Sequence, residues 1–420
     1  MEEIFVSEIN VKDTRCVKNL SIPFSDSQRK HLIITGKNGC GKTSLLLELN
    51  TYLNNLLNGQ RQQRRDNIKM LEFFKTQLTK ELSKLESAPS DSNINQKIAK
   101  LRLNIKQREN WFKNFGGSQI NFKNEHLLWE KVNKGTFIII FFESERHTNM
   151  KVPSGINKIN LQQRYNPRAK VNQDFIQYIV NLKADRSFAR DDGENNIVAS
   201  IDKWFDSFQE SLKKIFESPD LELKFDRKNY NFQIMEKDKE PYGFNTLSDG
   251  YSAIISIVTE LLLRMEAHKV KNYDMEGLVL IDEIETHLHV ELQKKILPFL
   301  TDFFPKIQFI VSTHSPFVLS SVSNSVICDL ESRLVTSDLS GYSYDALIES
   351  YFYSDKYSNL IKDKICKYEA LSSKNRLNPE DKQKLRELEE YFSDIPKYLS
   401  KELLVKLQEI NLKSLSAKRS

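Results

Sequence analysis

The sequence predicts an α/β fold, and three stretches carry that prediction. Residues 31–36 form an apolar strand, HLIITG, that passes through a glycine-rich turn into the apolar helix TSLLLELNTYLNNLL. Residues 277–283, GLVLIDE, read as a second apolar strand ending in two carboxylates. Residues 308–314, QFIVSTH, read as a third, reached through the helix-favouring VELQKKILPFLTDFF. Apolar strands separated by helical patterns signal an α/β sheet, whose strands present ligands at their C-terminal ends.

The remaining elements follow in chain order. IFVSEINV and LSIPF, before residue 31, read as strands. Near Gly59 the composition turns polar and helix-favouring, with Leu71, Phe74, Leu78, Leu82 and Leu85 marking one face at near-heptad spacing. A turn containing Pro89 follows, then a helix with Ile94, Ile98, Leu101 and Ile105 on one face. Together they predict an inserted antiparallel helical hairpin. GTFIIIFFESERH returns the chain to a buried strand. Residues 146–173 hold no acid but six basic residues, and Pro153, Gly155 and Pro167 make the stretch loop-rich. An amphipathic segment at Ile201–Phe216 and the strands LELKFDR and NFQIMEK lead into FNTLSDGYSAIISIVTELLLRM. From Tyr344 the sequence is charged and mostly helical. The expected organisation is 1–58, first part of the head; 59–112, the hairpin; 113–340, the rest of the head; 341–420, a helical assembly region.

Composition narrows the function classes. The 420 residues include 28% charged and 39% hydrophobic residues, with a net charge of +5, which permits nucleic-acid binding without demanding it. A mean hydropathy of −0.51 and the lack of an apolar run near 18 residues argue against a membrane partner or span. Cys16, Cys40, Cys328 and Cys366 lie far apart with no CxxC pair, which fits a reducing cytoplasm better than zinc or disulfides.

Four groups of residues carry chemistry. Gly36 to Thr43 reads GKNGCGKT, the pattern GxxxxGK[ST] between a strand and a helix. Glycines at 36, 39 and 41 let the backbone curl, so amides from Gly36 through Asn38, Cys40 and Ser44 can face phosphate oxygens. Lys42 supplies a point charge, and the Thr43 hydroxyl is a Mg²⁺ ligand. Asp282 would hold the metal, and Glu283 would polarise an attacking water. A strand ending in two acids is common, and its weight here comes from the phosphate loop. His314 ends the next strand, where it can meet a γ-phosphate; a lone strand-end histidine is more often structural. Ser248 and Gly250, in LSDGY at a helix start, form either a second anion site or an ordinary cap.

In this order the four groups resemble the ABC-type ATPase heads (P-loop NTPases) of the RecF, SMC and OLD families. GKNGCGKT is similar to their GxNGxGKS/T loop, and LSDGY to their LSxGE-like signature. IDEIETHLHVELQKKIL followed by IVSTHSPFVLSSV resembles the DEPExxLHP…THSP pattern of OLD-like bacterial defence ATPases, over roughly residues 1–50 and 115–330. Ile284 and Val290 stand where that pattern has proline, and Tyr251 where the signature has Glu. No glutamine sits at the place after FIIIFFESER where a metal-contacting one is expected.

The resemblance implies ATP and Mg²⁺ as cofactors and two copies closing around two nucleotides. Lys42, Thr43, Asp282, Glu283 and His314 would act within one copy, and Ser248 and Gly250 across to the other. Arg146 looks like the arginine that follows the corresponding strand in RecF-like proteins, which assigns it to the nucleotide pocket. OLD-like nucleases add a metal-dependent domain, but the residues after His314 hold neither a DxD nor a histidine. A nuclease would therefore be a separate polypeptide. The chain then looks most like a Septu-type ATPase subunit of anti-phage defence, working with an HNH-type nuclease, with the PARIS-type ATPase as competitor. GYSYDALIESYF is similar to the helix start after the last core strand of such proteins, or is an ordinary capped helix. A RecF- or SMC-like repair clamp on DNA or RNA is the alternative, favoured by the acid-free loop and the RQQRR run; a transporter ATPase is a third reading.

Overall fold

The computed structural model describes residues 3–14, 16–87, 91–268, 275–342, 347, 359–372, 374, 378–394 and 410. The turn at Pro89 and most of the GYSYDALIESYF segment lie outside them. The chain forms two units, residues 1–342 and 343–420.

The first unit is α/β. Its central sheet has six strands in the order β12 (Leu334–Ser337), β11 (Ser325–Asp329), β3 (His31–Thr35), β10 (Ile307–Ser312), β9 (Glu276–Ile281) and β5 (Phe137–Phe142). The five from β11 to β5 are parallel and β12 is antiparallel. β3, β5, β9, β10 and β11 are buried at every position, as parallel strands covered on both faces are. β10 stands between β3 and β9, with Ser312 in register with Ile34 and Val311 with Ile281. This order brings the turns after β3, β9 and β10 together at one edge.

A second sheet, β2 (Lys18–Pro23), β1 (Phe5–Asp13) and β4 (Ser118–Lys123), is antiparallel. Buried Gln308 ties it to the central sheet: its Oε1 accepts the Val6 amide at 2.7 Å, and its Nε2 donates to the carbonyls of Val6 and Lys30. A third sheet, β6 (Glu222–Asp226), β7 (Asn231–Met235) and β8 (Tyr242–Gly243), is also antiparallel.

The helices of this unit are α1 (Lys42–Leu57), α2 (Arg61–Ser87), α3 (Ser92–Phe115), α4 (Glu125–Asn133), α5 (Phe175–Asp191), α6 (Asn195–Phe216), α7 (Asp249–Glu266), α8 (Val290–Phe303) and the short α9 (Pro316–Leu319). α1 buries Leu45, Leu46, Leu49 and Leu53 in a core shared with the central and second sheets. α2 and α3 pack antiparallel, with Arg108 donating to Asn67 and Lys75 paired to Glu109. Their seam corrects one expectation. Leu82 is exposed, and Glu81 takes the buried seam position and pairs with Lys84. Alternating steps of three and four residues run 71, 74, 78, 81, 85, so the seam position falls on Glu81 and Leu82 lies one residue off it.

The second unit is described through α10 (Asn359–Ser372) and α11 (Pro379–Asp394), which pack through Ile365, Tyr368, Leu388 and Phe392. Among the described residues no helix is long and apolar enough to cross a membrane.

Candidate nucleotide site

The loop after β3 owes its shape to glycine. Gly36, Gly39 and Gly41 have φ of 129°, 84° and 107°, conformations that side-chained residues rarely adopt. At Gly41 a Cβ would also lie 2.6 Å from that of Cys16. Lys42 opens α1 and is buried, its Nζ donating to the carbonyls of Gly36 at 2.8 Å and Lys37 at 3.3 Å, with His314 Nδ1 at 3.5 Å. Burial lowers the pKa of its ammonium, while Cys40, Glu283, Glu285 and Asp282 act to raise it. Asn38 and Gly39 are exposed at the loop tip, and Thr43 is exposed at the start of α1.

The acidic pair after β9 meets this loop. Thr43 Oγ1 donates to Asp282 Oδ1 at 3.2 Å, and the Ser312 hydroxyl donates to the same oxygen at 2.6 Å. Glu283 has a left-handed backbone, φ 45°, which costs a non-glycine residue and must be held by its surroundings. Two side chains hold it. Its N–H donates to Ser312 Oγ at 2.8 Å, and its carbonyl accepts from Arg146 Nη2 at 2.9 Å. The Thr286 hydroxyl donates to its carboxylate at 3.2 Å.

Arg146 lies beneath the pair rather than among the loop amides. Its guanidinium donates to the carbonyls of Glu143, Asp282 and Glu283 at 2.7, 2.6 and 2.9 Å, and more distantly to Ile284. With four carbonyls engaged, it orients the acidic turn. Burial brings its pKa down to about 10, against the pull of Glu285, Asp282 and Glu283.

His314 follows β10. Its amide donates to Glu285 Oε1 at 2.5 Å, and burial, then Lys42, holds its imidazole below the ordinary histidine range. Glu285 is itself buried, which raises its pKa. Its Oε2 and Arg146 Nε are buried without a hydrogen-bond partner among the described residues.

Ser248 and Gly250 occupy a different place, at the start of α7. Ser248 is the N-cap residue, exposed, and its side chain makes no capping bond. Gly250 is buried against the loop after the acidic pair, where a Cβ would stand 3.0 Å from the His287 carbonyl oxygen. Tyr251 stacks on Phe216 with ring centroids 4.4 Å apart.

The loop, Asp282, Glu283, His314 and Arg146 thus come together. Two members of the cluster, Ser312 and Glu285, had no role assigned from sequence. Their signal was position: Ser312 two residues before His314, Glu285 two after Glu283.

The family described as "AAA domain, putative AbiEii toxin, Type IV TA system" matches residues 32–320, well over half of the chain. The chain belongs to this family. Its members' AAA domain agrees with the α/β architecture and glycine loop seen here. The chain is similar to the Septu protein PtuA of Bacillus mycoides (strain KBAB4), 24% identical over 410 residues, covering 94% of this chain and 51% of that one. It is also similar to the "Retron Vc95 probable ATPase" of Vibrio cholerae serotype O1 biovar El Tor, 24% identical, covering 73% of this chain and 70% of that one. The chain therefore spans about half the length of the PtuA relative. Among solved structures, an Smc head bound to the C-winged helix domain of ScpA matches with a TM-score of 0.36 at 12% identity, covering 77% and 94% of the two chains.

Proposed function

We propose that this chain is the ATP-binding and ATP-hydrolysing subunit of a bacterial anti-phage defence complex, closing as a homodimer around ATP and controlling a separate nuclease. The observation that carries the reading is the convergence of Lys42, Thr43, Asp282, Glu283 and His314 at one edge of the parallel sheet. The Septu and retron names of its relatives support the defence setting.

The donor set fits ATP with Mg²⁺. Thr43 and Asp282 offer two hard oxygens 3.2 Å apart, and among the described residues no group of three metal-ligating side chains exists. A metal there needs phosphate oxygens to complete its shell, as Mg²⁺ sites on nucleotides do. When bound, the metal neutralises charge on those oxygens. Lys42 exchanges two loop carbonyls for phosphate oxygens, and the loop amides from Gly36 to Ser44 cradle the rest. Glu283 orients the attacking water and accepts its proton. His314, against Lys42, reads the γ-phosphate. Ser248, whose side chain is exposed and uncapped, reaches the nucleotide of the second copy, and Gly250 lets its turn pack closely on the loop after Glu283. The hairpin at 59–112 and the region 341–420 serve as assembly surfaces, in the cytoplasm, and the nuclease site belongs to the partner, of HNH type.

A RecF- or SMC-like clamp is the second reading, favoured by the acid-free stretch 146–173. A pull-down of tagged chain from its host with ATP and Mg²⁺ separates them. A nuclease in fixed ratio supports the defence complex; the chain carrying only DNA supports the clamp.

A further inference from the structure

A cavity of about 560 Å³ opens at the far end of α1 from the phosphate loop. Lys42 starts α1 and Asn54 comes twelve residues later, so the cavity lies roughly 18 Å away along the helix axis. Its walls come from the end of α1, the start of α2, α4, the entry of β5, the acid-free loop and the end of α7. Its size is that of a small-ligand site.

The chemistry of the lining is one-sided. Arg61, Arg65, Arg164, Arg264 and His268 line the cavity, and among the described residues no carboxylate does. Arg264 is neutralised by Glu260 at 2.7 Å, and Arg61 has Glu125 at 3.4 Å while lying over the Trp129 ring. Arg65 and Arg164 are exposed and have no ion-pair partner among the described residues. Two more features are specific. Amide side chains of Asn54, Asn58, Gln62, Asn133, Gln163 and Asn166 line the same space. Of these, Gln62 and Asn166 are engaged, with Asp66 and the Arg168 amide. An amide side chain pairs a donor with an acceptor, the combination that matches a nucleobase edge. Tyr165, Phe137 and Leu57 add an apolar wall, and the Tyr165 ring is already flanked by the Arg264 guanidinium at 5.3 Å.

We propose that this cavity is a second nucleotide site, independent of the phosphate loop, that takes one nucleoside phosphate: phosphate on Arg65 and Arg164, base among the amides. The nucleotide is either free or the end of a single strand. The hairpin and the acid-free loop both border the cavity, so an occupant would brace the hairpin base against the head.

The test uses the full-length Lys42→Ala chain, so that the first site is silent, and titrates AMP, a 5′-phosphorylated ten-nucleotide single strand, and inorganic phosphate by calorimetry. AMP or the oligonucleotide binds, and Arg65→Glu with Arg164→Glu weakens that binding at least about tenfold, as loss of paired charge-assisted contacts requires. Tighter binding of AMP identifies a free nucleotide as the ligand, and tighter binding of the strand identifies a nucleic-acid end. Both arginines are exposed, and an unchanged melting temperature shows that the double variant is folded. Because the comparison is made in one background, residual binding at the first site cancels. The proposal is overturned if neither nucleotide probe binds, if the double variant binds equally well, or if inorganic phosphate matches AMP, an adventitious ion only.

Discussion

The Ser312 hydroxyl donates to the Asp282 carboxylate at 2.6 Å while accepting the Glu283 amide at 2.8 Å. One hydroxyl from β10 thus sets both the oxygen that faces Thr43 and the left-handed turn that aims the second acid. Ser312→Ala leaves both groups short of a partner. A lost buried hydrogen bond costs about 1–3 kcal/mol. With the loop and Lys42 untouched, ATP binding stays within a few-fold of the parent while turnover falls about 10- to 100-fold. Steady-state phosphate release beside equilibrium ATP binding measures the split; equal loss in both would contradict the positioning role.

Arg146 predicts a different signature. Its guanidinium serves carbonyls on two chain segments, so Arg146→Met strands several buried acceptors and removes stability on the order of 2–4 kcal/mol. Arg146→Lys does not rescue it, because a point donor cannot span the fork. Thermal unfolding of both variants checks this, and parental stability in Arg146→Lys would show that charge alone suffices.

How much of this was legible in sequence follows from what each residue contacts. Lys42, Thr43, Asp282 and Glu283 lie in short motifs on strands whose apolar runs announce burial, so their meeting followed from the α/β class. Arg146 reads as a pocket residue because sequence shows its charge but not its partners, three of which are backbone carbonyls more than a hundred positions away. β4, α4 and α5 stayed unassigned. The short β4 alternates only weakly, SQINFK, and takes its strand state from pairing with β1. β12 is a four-residue edge strand, too short for periodicity to register. Glu81 in the hairpin seam shows the same limit: an apolar tally picks Leu82, while helix geometry picks its neighbour.

His31 sets an acid limit on the fold. It is buried at the start of β3, its Nδ1 accepts the Phe309 amide at 3.1 Å, and burial, aided by Arg29, brings its pKa down to about 4. The folded state therefore holds this ring neutral where the unfolded chain protonates it. Its contribution is intact above about pH 6.5 and is lost as pH falls towards 4, by about 3 kcal/mol across that window. His31→Asn keeps an acceptor for Phe309 and flattens this slope. Urea unfolding of both proteins at pH 7, 6 and 5 gives the comparison; parallel slopes would place the acid sensitivity elsewhere.

The most direct test of the central claim is single-turnover ATP hydrolysis by Glu283→Gln with bound nucleotide quantified in the same samples. The account predicts that the variant binds ATP as the parent does, accumulates as an ATP-holding dimer, and hydrolyses at least about a hundredfold more slowly, the span assigned to a general base. Hydrolysis at the parental rate would contradict it, and the acidic turn held by Ser312 and Arg146 would then be structural.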